Sequence, residues 1–183
     1  MKRIIYVGGD LAAGKSTLTE RLTKELGILC INKDTVKEIL GDSFGFANRE
    51  ENLHLSRVTF SLMYYIARKC VEAGVSVILE SNFRQKELDI LTRLAENNGY
   101  EMRSLVVQAD IEELYRRYNN RIENEGRHPV HTAVPYPTIE SFAEMINEWR
   151  EINYPAPVHI VDSTDFERLY NESLAEILKF LGE

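Results

Sequence analysis

The chain is expected to form a three-layer α/β/α fold on a five-stranded parallel sheet, and three observations carry that expectation. Short apolar runs alternate with longer segments of helical period, the pattern of a parallel sheet covered by helices. The runs are rich in Val, Ile and Leu, as strands buried on both faces are. The length of 183 residues, with 44% hydrophobic and 28% charged side chains, is that of one globular domain able to bury a full core.

The elements follow in order. Arg3 to Val7 reads as the first strand, and Lys15 to Leu26 as a helix that Gly27 is placed to end. Ile28 to Ile31 is the second strand, with a helix beginning near Thr35. Glu51 to Ala73 is a long helix with Leu55, Val58, Leu62, Ile66 and Cys70 on one stripe. Val75 to Leu79 gives a third strand, Gln85 to Asn97 a helix, and Arg103 to Val107 a fourth strand. Asp110 opens the next helix as a candidate cap, with Glu113 as the partner of a capping box. A helix over Thr138 to Ile152, a strand over Val158 to Val161 and a helix over Phe166 to Leu181 complete the set. Two stretches exceed this alternation. Residues 41–73 read as a small helical insert on the substrate side, and residues 124–137, rich in Pro, Gly, His and Arg, as a lid. Both are excursions on a single domain over residues 1–183.

The strongest signal is Gly9-Asp10-Leu11-Ala12-Ala13-Gly14-Lys15-Ser16, a complete G-x-x-x-x-G-K-S between a strand and a helix. Its glycines let successive backbone N–H groups curl toward a phosphate, with the helix N-terminus behind them. Lys15 is a flexible cation able to reach the β and γ phosphates, and the Ser16 hydroxyl can ligate Mg2+. Gly9, Ala12, Ala13, Gly14, Lys15, Ser16 and Thr17 are the expected nucleotide-binding set, Thr17 as a first-turn helix residue with no chemical role of its own. The loop makes this a P-loop NTPase fold and leaves kinase, ATPase and GTPase open. No strand carries the hhhhDxxG pattern of a GTPase.

In a parallel sheet the carboxyl ends of the strands share the ligand edge. The first acid off that edge is Asp34, either a general base for an attacking hydroxyl or an N-cap. Glu80 and Asn82 leave the third strand on the same edge. Glu80 could hold Mg2+ through water or orient an acceptor, and Asn82 could bind substrate or cap a helix. Arg84 reaches a phosphate or is solvated. Arg117 and Arg121, four apart, share a helix face, and their forks suit a transferring phosphoryl group. Arg116 pairs with nearby glutamates. Arg127, His128 and His131 fall in the lid. Tyr64, Tyr65, Phe44 and Phe46 line a pocket or, as aromatics at helical spacing more often do, fill a core.

These residues together resemble the P-loop kinase group that includes the kinase domain of phage polynucleotide kinase, zeta toxins and chloramphenicol phosphotransferase, and the bacterial proteins labelled predicted kinase or AAA-domain ATP-binding protein. The resemblance spans nearly the whole chain and implies a kinase-type lid. It implies Asp34 as general base, Lys37 where the polynucleotide kinases have arginine, and Glu80-Ser81-Asn82 as the acidic-x-Asn ending of the third strand. It assigns Arg117, Arg121 and the Arg-His-Pro run from Arg127 to the lid side and the ATP phosphates. Adenine is expected near Ser163 and Thr164. The activity implied is transfer of the ATP γ-phosphate, with Mg2+, to a hydroxyl of a small molecule. Lysine cannot make a bidentate phosphate contact, which disfavours nucleic-acid ends. A polynucleotide 5′-hydroxyl kinase and a nucleotide-gated binding protein with weak ATPase activity are the alternatives.

The remaining features bound the setting. A net charge of −7 argues against a protein built to hold long nucleic acid. Cys30 and Cys70 lack metal or disulfide spacing and read as free thiols in a reducing compartment. With no membrane span or signal peptide expected, the reading is cytoplasmic.

Overall fold

The computed structural model describes residues 2–124, 126, 128–131, 136–169 and 173–182. In chain order it contains β1 (Arg3–Gly9), α1 (Lys15–Leu26), β2 (Leu29–Asn32), α2 (Lys33–Phe44), α3 (Arg49–Glu72), β3 (Val77–Glu80) and α4 (Gln85–Asn97). Then follow β4 (Glu101–Gln108), α5 (Ile111–Asn124), a 3-10 turn at Pro129–His131, α6 (Ile139–Arg150), β5 (Val158–Asp162), α7 (Phe166–Arg168) and α8 (Leu174–Leu181). The five strands form one parallel sheet in the order β2-β3-β1-β4-β5, the predicted class.

The pleat of β1 shows how the layers arise. Ile5 and Val7 point to one face, where Leu18 and Leu22 of α1, Leu114 of α5, Phe142 of α6 and Ile177 of α8 cover them. Ile4 and Tyr6 point to the other, against Met63 and Ala67 of α3 and Leu88 and Leu91 of α4. Period-two alternation thus feeds two separate cores from one strand. Tyr6 stacks between Phe83 and Tyr154 at 5.7 and 5.9 Å, and burial pushes its phenol pKa up. Truncating a fully buried side chain such as Met63 to Ala would cost about 2–5 kcal/mol.

Register positions the site. Val7 of β1 pairs with Glu80 of β3, and Glu80 pairs with Asn32 of β2. A row across the carboxyl edge therefore brings the start of the phosphate loop, Glu80 and Asn32 together. β3 begins later than the sequence reading placed it and includes Glu80, while Val75 lies outside it, 51% exposed. The expected insert is a helical hairpin: α2 runs on to Phe44 and α3 begins at Arg49. Of the expected Phe166–Leu181 helix, α7 and α8 are described, and residues 170–172 lie outside the described set. No described helix is long and apolar enough to cross a membrane. Both cysteines are free, and burial pushes the Cys30 thiol up to about 11.

Candidate active site

The phosphate loop turns by unusual backbone. Gly9, Ala12 and Gly14 have φ of 121°, 64° and 79°. A side chain at Gly9 would collide with the Val107 carbonyl, and one at Gly14 would meet Phe166 Cε1 at 2.6 Å. Ala12 holds a left-handed conformation uncommon for a residue with a Cβ, and such outliers gather at ligand-binding loops. Lys15 Nζ donates to the carbonyls of Asp10 and Gly9 at 2.6 and 3.1 Å. Its pKa is lowered by burial, against the opposing pull of Glu80, Asp34 and Asp10. Thr17 is exposed on α1.

Behind the loop, Ser16 Oγ donates to Glu80 Oε1 at 2.7 Å and Thr19 Oγ1 donates to Glu80 Oε2 at 2.5 Å. Asn32 Nδ2 donates to Ser16 Oγ at 3.2 Å. Glu80 is 5% exposed, so its carboxylate is held by hydroxyls in a nearly dry position. Of the two acids, Glu80 is the one bonded to Ser16.

Asp34 projects from the first turn of α2, its side chain 66% exposed. It does not cap the helix: the Asn32 side chain does, accepting from the Thr35 N–H at 3.0 Å. Asp34 Oδ1 lies 4.0 Å from His131 Nδ1, and His131 Nε2 is 2.8 Å from Glu38 Oε1. The sequence-predicted Lys37 is 8% exposed, donating to Asn52 Oδ1 at 2.7 Å and to the Val130 carbonyl at 3.0 Å. It ties the 3-10 turn to the α2–α3 hairpin. His128 Nδ1 accepts from the Val130 N–H at 3.2 Å, and its Nε2 faces Asp42 Oδ1 at 3.0 Å. Val130 is 2% exposed, against Gly41. Asn82 does not cap α4, whose N-cap is Arg84, with the Arg84 N–H donating to Glu87.

Two adjoining cavities share Asn32, Asp34, Glu80 and His131. The larger, about 910 Å³, is also lined by Ser16, Thr19 and Arg121. The smaller, about 300 Å³, is also lined by Lys15, Lys37, Ser81 and Asn82.

The predicted arginine pair divides. Arg121 lines the larger cavity, and its charge acts on Lys15. Arg117 is held beside the loop after β5. Its Nε donates to Glu113 at 2.7 Å, and its Nη2 to the carbonyls of Ser163 and Thr164 at 2.9 Å each. Its guanidinium stacks 3.8 Å over Phe166, the ring beside Gly14. Arg117 thus braces the loop after β5, while its buried Nη1 has no partner among the described residues. Glu113 makes no capping box because Arg116 and Arg117 both claim it, and the Arg116 hydrogen bond foremost lowers its pKa to about 2. Asp110 still caps α5, its Oδ1 accepting from the Glu112 N–H. Arg127 and residues 132–135 of the expected lid lie outside the described residues.

Sequence reasoning missed the tie that fixes the loop. Asp10, 1% exposed, is gripped by both Nε and Nη2 of Arg150 at 3.1 and 2.5 Å, and it accepts from the Ala109 N–H at 3.2 Å. Arg150 Nη2 also donates to the Ala109 carbonyl. The pair is 140 residues apart, and no local pattern joins them. Thr19 and Asn32 were also missed, although an amide at the end of β2, three residues before a helical N–H, is a readable cap.

Fold and loop define the class, a P-loop α/β protein of the kinase-like kind. The profile of the AAA domain family matches residues 4–144, and the chain belongs to that family. Its structure is similar to that of a protein provisionally described as a kinase, from Chloroflexus aurantiacus, at TM-score 0.84 and 24% identity, over 97% of each chain. It is similar to Kti12 from Chaetomium thermophilum in complex with ADP-AlF3, at TM-score 0.67 and 18% identity, over 98% of this chain and 100% of that one. It is also similar to shikimate kinase from Bacteroides thetaiotaomicron, at TM-score 0.60 and 15% identity, over 100% and 99%. A comparison with curated proteins finds no match.

Proposed function

We propose that the protein is a kinase that transfers the γ-phosphoryl group of ATP to a hydroxyl of a small molecule. The observation that carries this reading is the convergence of Lys15, Glu80 and Asp34 on one cavity of about 300 Å³ beside the phosphate loop. The loop amides and Lys15 hold the phosphates. Asp34 takes the proton of the acceptor hydroxyl as its oxygen bonds to the γ-phosphorus. The bond to the bridging oxygen breaks, and ADP leaves with that electron pair. Arg121 spreads the charge of the transferring group.

Mg2+ keeps several waters and binds through one or two protein oxygens plus substrate phosphates. The Ser16 hydroxyl and Glu80 carboxylate, 2.7 Å apart, fit that donor set, and a bound Mg2+ would neutralise phosphate charge. The likeness to a shikimate kinase supports a small-molecule acceptor, and the complex of Kti12 with ADP-AlF3 supports an adenine nucleotide. The commitment of Lys37 to Asn52 and Val130 supports the small-molecule reading over a nucleic-acid end.

Phosphorus NMR of ATP and Mg2+ with a pooled acceptor panel tests the proposal. A new phosphomonoester signal alongside ADP is expected. Asp34→Asn should cut transfer by about 10²- to 10⁴-fold and leave ATP affinity unchanged, while Lys15→Ala damages both. Normal transfer by Asp34→Asn would remove the base assignment. Phosphate release indifferent to every acceptor would favour a nucleotide-gated switch.

A further inference from the structure

We infer that the smaller cavity binds a small, neutral polyol, an assignment that rests on reading this cavity as the acceptor side of a kinase. Two buried polar atoms in its wall lack a partner among the described residues: Ser81 Oγ and Asn82 Oδ1. Ser81 is 5% exposed, so water does not readily satisfy its hydroxyl. A buried polar group left unpaired is costly, and such a group in a cavity wall awaits a ligand atom. A ligand hydroxyl both donates and accepts. It therefore satisfies the serine hydroxyl and the asparagine amide whichever way that amide is turned, and neighbouring hydroxyls on one carbon chain can serve the adjacent residues.

What the wall lacks narrows the class. Among the described residues it carries no Phe, Tyr or Trp, so no ring is offered for stacking a nucleobase. Tyr64 packs toward the core beside Phe60, and Phe44 lines a separate groove between α2 and α3. The wall also carries no arginine, the side chain that grips a carboxylate bidentately. Of its three ammonium groups, Lys15 bonds to loop carbonyls and Lys37 to Asn52 and Val130, and Lys33 adjoins Asp34 in the chain. Asp34 and Glu80 line the same space and oppose an anionic acceptor. The volume of about 300 Å³ stands at the lower end of the ~300–1,000 Å³ typical of ligand pockets. Part of it borders Lys15, where the phosphoryl group must lie, which leaves room for a chain of about three to six carbons.

Saturation-transfer NMR on the intact protein with glycerol, erythritol, ribitol and glucose, and with uridine and malate as comparators, tests this independently of turnover. At least one polyol should receive saturation. Ser81→Ala and Asn82→Leu should each weaken its binding by about three- to tenfold, while affinity for a fluorescent ATP analogue stays unchanged and reports that each variant is folded. Polyol binding with no phosphoryl transfer from ATP would overturn the kinase reading and keep the polyol site. Transfer to uridine or malate, with no polyol bound, would overturn the polyol assignment and keep the kinase. Polyol binding insensitive to both substitutions, or no binding of any probe, would also overturn the assignment.

Discussion

The two ends of the site are built on opposite terms. At the phosphate loop, the loop itself is tied within the protein: Asp10 N–H donates to Val107, its carboxylate is held by Arg150 and Ala109, and Phe166 closes on Gly14 beneath Arg117. At the acceptor end, Asp34 is mostly exposed, Ser81 and Asn82 carry unpaired buried atoms, and the wall is completed by a 3-10 turn clipped on by Lys37, Asn52 and His128. A loop whose ligand is always a phosphate can be fixed in advance. On the proposed kinase reading, a wall that must suit one acceptor leaves its polar groups for that acceptor to satisfy.

The largest effect that tests this contrast separates the two arginines. Arg121→Ala should cut turnover by about 10³-fold or more, as loss of a transition-state arginine does. Arg117→Ala should weaken ATP binding with turnover at saturation largely kept, because it holds the loop after β5. Steady-state kinetics against ATP concentration distinguish them, and equal losses of turnover would erase the division.

Next comes the buried ion pair. Arg150→Met alone strands the Asp10 carboxylate and should cost about 3 kcal/mol, lowering the melting temperature by about 6–12 °C. Pairing it with Asp10→Leu should restore most of that stability but not ATP affinity. Calorimetry on the single and double variants decides whether the pair supports the fold or the loop.

At the acceptor end, Gly41→Ala forces its new methyl into Val130. Overpacking of this kind costs about 1–3 kcal/mol, more than the helix propensity gained. Transfer should fall with ATP affinity intact, and Val130→Ala should rescue it in the double variant.

The smallest effect is in acid. Glu113 has its folded pKa depressed from 4.5 to about 2, so its contribution is present above the unfolded value and is lost as pH falls through the window between them. Glu113→Gln should cost about 1–2 kcal/mol at neutral pH. Thermal melts of the two proteins should converge as pH approaches 2.

Much of this was legible from the chain alone. The strands announced themselves because buried parallel strands are continuously apolar, and the phosphate loop because its chemistry is contiguous. The shared sheet edge placed Glu80 near the phosphate loop, but its hydrogen bond to Ser16 and its register beside Asn32 are visible only in the structure. What escaped was non-local or competitive. Nothing near Asp10 points to a guanidinium 140 residues on. Arg117 looks like Arg121 on a helical wheel, and only the loop after β5 distinguishes them. The sequence likewise holds no hint that Lys37 bonds Asn52 and Val130, which lie on other elements.

Arg150 sits at the last turn of α6, and Thr138 caps the first, a span of about 18 Å. The helix is thus a strut with its near end at Thr138 and its far end gripping the phosphate loop through Asp10. Any shift of α6 loads that grip. Coupling free energies of this kind are reciprocal: whatever factor an acceptor adds to the affinity for nucleotide, the nucleotide returns to the acceptor. Measured against separate ligands, each half would then understate the affinity of the assembled whole.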